Sequence, residues 1–204
     1  MKTFGKLAAG TCLLAVLLSG CGRAKGPTEV TEPTLVISGD GKVTAYLVGE
    51  FDKSYYDLSE LKAMAEEEAA RYGSASKKGT ASVTVKSVEA AQDGSGRIVL
   101  AYGFDGADSY KGFMKNELFY GTVEEAIARG YVPDGFLQGA GGEAPMTVEN
   151  LKEEKSRHLI VTDAAAVIYC PNKVTHMSMG AVLKEDGSVD ASQTEGLVYI
   201  LLKK

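Results

Sequence analysis

Two runs decide the fold class. They are Thr80-Ala81-Ser82-Val83-Thr84-Val85-Lys86 and, shortly after, Arg97-Ile98-Val99-Leu100-Ala101-Tyr102-Gly103-Phe104. In the first, Ala81, Val83 and Val85 alternate with Ser82, Thr84 and Lys86, which is the two-residue period of a half-buried strand. In the second, Ile98, Leu100, Tyr102 and Phe104 share a face. Asp93-Gly94-Ser95-Gly96 lies between them as a turn sequence, so 80–104 reads as a long antiparallel hairpin.

Upstream, Leu35-Val36-Ile37 and Lys42 to Val48 flank Ser38-Gly39-Asp40-Gly41, the pattern of a second hairpin. Between the hairpins lies the clearest helix. Asp57 caps it and Glu60 completes a capping-box pattern, while Leu58, Leu61, Ala65, Ala69 and Tyr72 fall on one face. Gly73 is the expected stop. Glu66-Glu67-Glu68 point in different directions around such a helix and read as a solvated face.

Downstream, Asp105 to Lys115 reads as a short helix, with Tyr110, Phe113 and Met114 as core contacts. A well-punctuated helix follows, with Thr122 as cap, Glu125 at the capping-box position, Gly130 as stop and Pro133 beyond. Residues 133–145 carry Gly135, Gly139, Gly141 and Gly142 and read as a long loop, either mobile or functional. Met146 to Arg157 holds a further short helical segment. His158 to Thr162, Ala165 to Cys170, Lys173 to Leu183 and Gly196 to Leu202 read as strands, with Asp186-Gly187 as a turn. Strands that do not alternate regularly with helices predict an α+β fold, with a mostly antiparallel sheet and two or three helices. One domain is expected over 34–204, with a sub-boundary near 133–145.

The N-terminus carries a different signal. Lys2 and Lys6 give a positive start, Ala8 to Leu18 a short apolar run, and Leu18-Ser19-Gly20-Cys21 closes it. The run is about half the ~20 residues that a spanning helix needs. These residues resemble the signal peptide of bacterial lipoproteins, with Leu18 to Cys21 as the lipobox. The resemblance implies cleavage between Gly20 and Cys21, and a mature chain that begins at Cys21 with lipid on its sulfur. It further implies an extracytoplasmic address on the cell membrane. Two or three acyl chains hold firmly, at about 0.8 kcal/mol per buried CH₂. Residues 21–33, with Pro27 and Pro33, would form the lipidated tether. In overall character the mature part resembles uncharacterised lipoproteins of Gram-positive bacteria.

Composition narrows the function classes. Without residues 1–20 the chain has 20 basic and 27 acidic residues, a formal charge of −7. An acidic surface does not neutralise phosphates, so nucleic acid is not an expected partner. Hydrophobic residues make up 45% of the chain, enough for a packed core. By the same resemblance Cys12 would leave with the signal and Cys21 would be consumed by lipid. That leaves Cys170, at the end of an apolar run, as an inert thiol with no disulfide partner.

The chemical motifs are fragmentary. His158 and His176 are too few for a zinc site, which needs three or four converging ligands. His176-Met177-Ser178-Met179-Gly180 superficially resembles a nucleophile elbow, but His176 replaces the first glycine that the strained turn requires. On one strand His176 and Ser178 would share a face and could touch. Asp186, Ser188, Asp190 and Ser192 alternate like the start of a calcium loop. Ala191, however, stands where that loop turns on glycine, and its twelfth position is Leu197. No Gly-Lys-Ser/Thr follows Gly139, Gly141 and Gly142, so they do not form a phosphate loop. Tyr55-Tyr56 and Phe119-Tyr120, each ahead of a helix, read as packing residues.

The sequence therefore predicts no catalytic residue, no metal site and no cofactor. The expected partners are the membrane, through lipid on Cys21, and an envelope protein or small ligand. The expected function is a non-enzymatic binding or structural role at the cell envelope. The alternative is an extracytoplasmic hydrolase of peptide, ester or glycan, since two carboxylates suffice for glycosidase chemistry.

Overall fold

The computed structural model describes residues 26–50, 57–75, 82–91 and 95–204. The expected signal peptide and lipobox with Cys21, Tyr55-Tyr56, and Asp93-Gly94 of the expected turn lie outside the described residues.

The two hairpins form and join. β1 (Thr34–Ile37) pairs antiparallel with β2 (Val43–Glu50), in the register Thr34↔Tyr46 to Ile37↔Val43. The turn between them is closed by Ser38 N donating to Lys42 O, with Gly41 at φ +83°. β2 pairs with β4 (Arg97–Phe104), which pairs with β3 (Val83–Ala90). β3 alternates as expected only as far as Val85, where a bulge shifts the register before Ser87.

Helix α1 (Leu58–Ala75) packs over this hairpin through Ala65 and Ala69. Its cap is Asp57, whose carboxylate accepts from the backbone N–H of Ser59 at 2.7 Å and of Glu60 at 3.4 Å. Gly73 does not stop α1, which runs on through Ala75. A glycine ends a helix by turning left-handed, and Gly73 is not among the glycines with positive φ.

α2 (Ala107–Met114) follows β4 and buries Tyr110. Phe113 meets Tyr102, Phe104 and Tyr72 at ring separations of 5.0 to 5.8 Å. Gly112 permits the approach of α1, because a Cβ there would fall 1.9 Å from the Tyr72 hydroxyl oxygen.

Phe119-Tyr120 belong to a strand that the periodicity hides, β5 (Leu118–Thr122). At five residues and directly abutting α3 (Val123–Ala128), it leaves no turn signal between strand and helix. The α3 cap forms in full. Thr122 Oγ1 accepts from Glu125 N at 3.2 Å, and the Glu125 carboxylate accepts from Thr122 N at 2.8 Å.

The 133–145 segment is not structureless. It contributes β6 (Gln138–Gly139), and Leu137 and Met146 bridge across its neck. α4 (Val148–Glu153) is capped by Thr147. β7 (His158–Thr162), β8 (Val167–Tyr169) and β12 (Val198–Leu202) match the expected strands. The expected strand over 173–183 splits into β9 (Val174–Met177) and β10 (Val182–Leu183), with Gly180 between them at φ +88°. β11 (Val189–Asp190) is a two-residue strand too short to carry a pattern.

The strands make two sheets. Sheet A runs β10-β11-β8-β1-β2-β4-β3, with β1 and β8 as its parallel pair, and sheet B runs β5-β7-β12-β9-β6, all antiparallel. The fold is α+β and mostly antiparallel. Four helices form among the described residues, the two well-punctuated ones and both short segments.

Sheet B is apolar on both faces. Leu118, Ile160, Val198, Ile200 and Leu202 join Leu35, Ile37, Val43 and Ile168 of sheet A in the main core. Phe119, Leu159, Val161, Tyr199 and Leu201 point the other way, against Val123 and Ala126 of α3 and Leu151 of α4. The order of layers is thus sheet A, sheet B, then α3 with α4.

Candidate functional site

A recess formed by described residues lies beside α1. It lies between α1, which packs on β3, and residues of β2 and β4 in sheet A. Leu47, Leu100 and Tyr102 form the floor, Leu61, Met64 and Ala65 the wall, and Glu67, Glu68 and Arg71 the rim. Its volume is about 360 Å³. Burial, with Glu68 nearby, pushes the Tyr102 hydroxyl above the usual tyrosine range, so it is a neutral donor at physiological pH. At the rim Arg71 Nε stands 4.0 Å from Glu67, a solvent-exposed pair one helical turn apart. The recess therefore offers apolar contact, one phenolic hydroxyl and a rim of mixed charge.

The residues weighed for chemistry are dispersed and engaged elsewhere. His176 lies on β9 and is nearly buried; its Nε2 is 3.1 Å from the carbonyl of Ala144 and its Nδ1 is 3.1 Å from Thr175 Oγ1. A carbonyl only accepts, so Nε2 carries a proton. Ser178 does not turn to His176, because its Oγ accepts from Tyr199 N at 2.8 Å across to β12. The bond pins the end of β9 to the start of β12. His158, on β7, stacks on Tyr120 at 5.2 Å.

The oxygen-rich segment forms turns. Asp186 Oδ1 accepts from Ser188 N at 3.0 Å, its Oδ2 accepts from the Tyr169 hydroxyl at 2.7 Å, and Asp190 accepts from Ser192 N at 2.9 Å. Among the described residues no group of three or more His, Cys, Asp and Glu is placed to hold a metal ion. Cys170 is half-buried, and desolvation pushes its thiol up to about 12, which suppresses the reactive thiolate.

Gly139 and Gly141 shape the 133–145 loop. The backbone of Gly139 lies against Glu143, whose carboxylate accepts from Gly141 N at 2.5 Å.

A polar centre not anticipated from the sequence surrounds Arg157. Its Nε donates to Leu202 O at 2.9 Å and its Nη2 to Thr175 Oγ1, while Nη1 lies 3.6 Å from Glu154. Thr175 Oγ1 in turn donates to Leu201 O at 3.1 Å. The guanidinium fastens the end of β12 to β9, a structural task. An arginine at the close of a helix followed by a strand gives no sequence signal for it.

No described helix is long and apolar enough to cross a membrane. No protein-family model, no curated protein and no solved structure matches this chain.

Proposed function

We propose that this chain is a membrane-anchored extracytoplasmic lipoprotein, held by lipid on Cys21, whose folded part has a non-enzymatic binding role at the cell envelope. The observation that carries the reading is the ordered N-terminal signal: Lys2 and Lys6, the apolar run to Leu18, and Ser19-Gly20-Cys21. The engagement of His176, Ser178, Asp186 and Asp190 in local hydrogen bonds favours binding over catalysis. The ligand we assign to the recess under α1 is a small molecule with an apolar body. The floor of Leu47 and Leu100 suits it, and the volume lies within the usual range for such sites.

Intact mass and detergent partitioning of the native protein test the anchor. The wild type is expected in the detergent phase at the mass of residues 21–204 plus lipid, and Cys21→Ala is expected to remain unprocessed. An unlipidated mature form in the medium would overturn the anchor reading. For the recess the probe is anilinonaphthalene sulfonate, which brightens in apolar sites. Wild type should enhance its emission and Leu61→Glu should not. Equal enhancement by both would move the binding site elsewhere.

A further inference from the structure

Among the described residues, five large apolar side chains stand exposed, and four of them gather at one end of the molecule: Phe136 (48%), Met179 (63%), Val182 (59%) and Leu197 (40%). β9 ends at Met177 and the chain passes Met179 on its way to Val182, the first residue of β10. Ser178 N donates to Tyr199 O at 2.9 Å, which brings Met179 to the start of β12, just behind Leu197. Gln138 Nε2 donates to the carbonyls of Ser178 at 3.1 Å and Ala181 at 2.8 Å. Those bonds hold Phe136, two residues earlier, beside the same loop.

The chain toward Cys21 departs from this end. Val182 pairs with Asp190, Asp190 with Val167 and Val167 with Thr34, so Val182 is level with the first residue of β1. The residues just before β1 are already fastened to the body. Lys184 Nζ is 2.9 Å from Glu32, and Arg97 Nη1 donates to Thr31 O at 2.8 Å. The chain is therefore fastened to the body from Thr31 onward, within the tether expected over 21–33. Ten residue steps from Cys21 to Thr31 span about 17 Å as a coil and about 35 Å at full stretch. A globule of this chain length is roughly 40 Å across. A relaxed tether so short keeps the end that bears it close to the bilayer.

Resting on the lipid-anchor reading, we propose that Phe136, Met179, Val182 and Leu197 seat in the interfacial layer of the membrane, so that lipid and patch together orient the domain. Apolar side chains gain by entering the boundary between head groups and acyl chains. Asp134 and Glu195 flank the patch, so the contact is apolar and not an attraction to anionic lipid. Met64 lies on α1, which packs on β3, the edge of sheet A opposite β10.

The chain contains no tryptophan, so Phe136→Trp, Met179→Trp and Met64→Trp each introduce a single reporter. The full-length lipidated protein is reconstituted into phosphatidylcholine vesicles with brominated acyl chains. Emission at 136 and 179 should be quenched severalfold more than at 64, and Leu197→Trp replaces either reporter that fails to fold. Equal quenching at all positions, with lipid on Cys21 confirmed by intact mass, overturns the proposal and leaves the anchor standing. Unquenched but concentration-dependent blue-shifted emission at 136 and 179 identifies a second copy as the occupant, and also overturns it. Protein that carries no lipid and does not float with vesicles removes the anchor reading, and the proposal falls with it.

Discussion

Asp186 accepts from the hydroxyl and backbone N–H of Ser188 and from the hydroxyl of Tyr169. These bonds favour the charged form and hold its carboxyl down at about 2. A carboxyl depressed in the folded state stabilises the fold above its unfolded pKa, near 4, and loses that contribution as pH falls through the folded value. Stability is therefore expected to drop between about pH 4 and pH 2. Asp186→Asn should flatten that part of the profile, as read by urea midpoints across the acid range. The alternating oxygens at Asp186, Ser188, Asp190 and Ser192 were legible in the sequence. Their use as turn caps was not, because metal loops and Asx turns draw on the same residue types. Thr122 is the opposite case, since its spacing to Glu125 named both cap and box. Thr122→Ala should cost about 1 kcal/mol by chemical denaturation.

Among the elements, those with strong local signals formed where the sequence placed them. α3 begins at its capping box, and β7 spans the whole of the expected 158–162 strand. The departures have local causes. α1 passes Gly73 because nothing turns that residue left-handed, and the 173–183 strand divides where Gly180 adopts a positive φ. β6, β10 and β11 have two residues each and exist only because a partner strand lies beside them. The 133–145 loop turns on Gly139, where a Cβ would fall 1.8 Å from the carbonyl oxygen of Glu143. Backbone meets backbone there, so no side-chain motion relieves the clash. Gly139→Ala should cost about 1–3 kcal/mol and weaken the β6–β9 pairing, measured by urea denaturation and by hydrogen exchange at Ala140.

At the scale of the whole molecule, the main core draws on both sheets, with Ile200 fully buried at its centre. Ile200→Ala should cost about 2–5 kcal/mol. A core shared in this way also predicts a single calorimetric transition for 34–204, whereas two transitions would mark a boundary near 133–145. The recess under α1 was half legible. Leu61 and Ala65, like Leu100 and Tyr102, fall on common faces by period alone, but the juxtaposition of β2 and α1 around them is a tertiary fact. The patch of Phe136, Met179, Val182 and Leu197 was hidden for the same reason, since no local pattern links residues from three separate segments. By itself the sequence determined the α+β class, the capped helices and the turns among the described residues, because caps, turns and periodicity act over a few residues. Only the tertiary structure decided the division of strands between two sheets, the parallel β1–β8 pair, the Arg157 clasp and the gathering of the exposed apolar side chains. Those depend on which distant segments pack together, and burial rewards that packing without leaving a mark on any short stretch of chain.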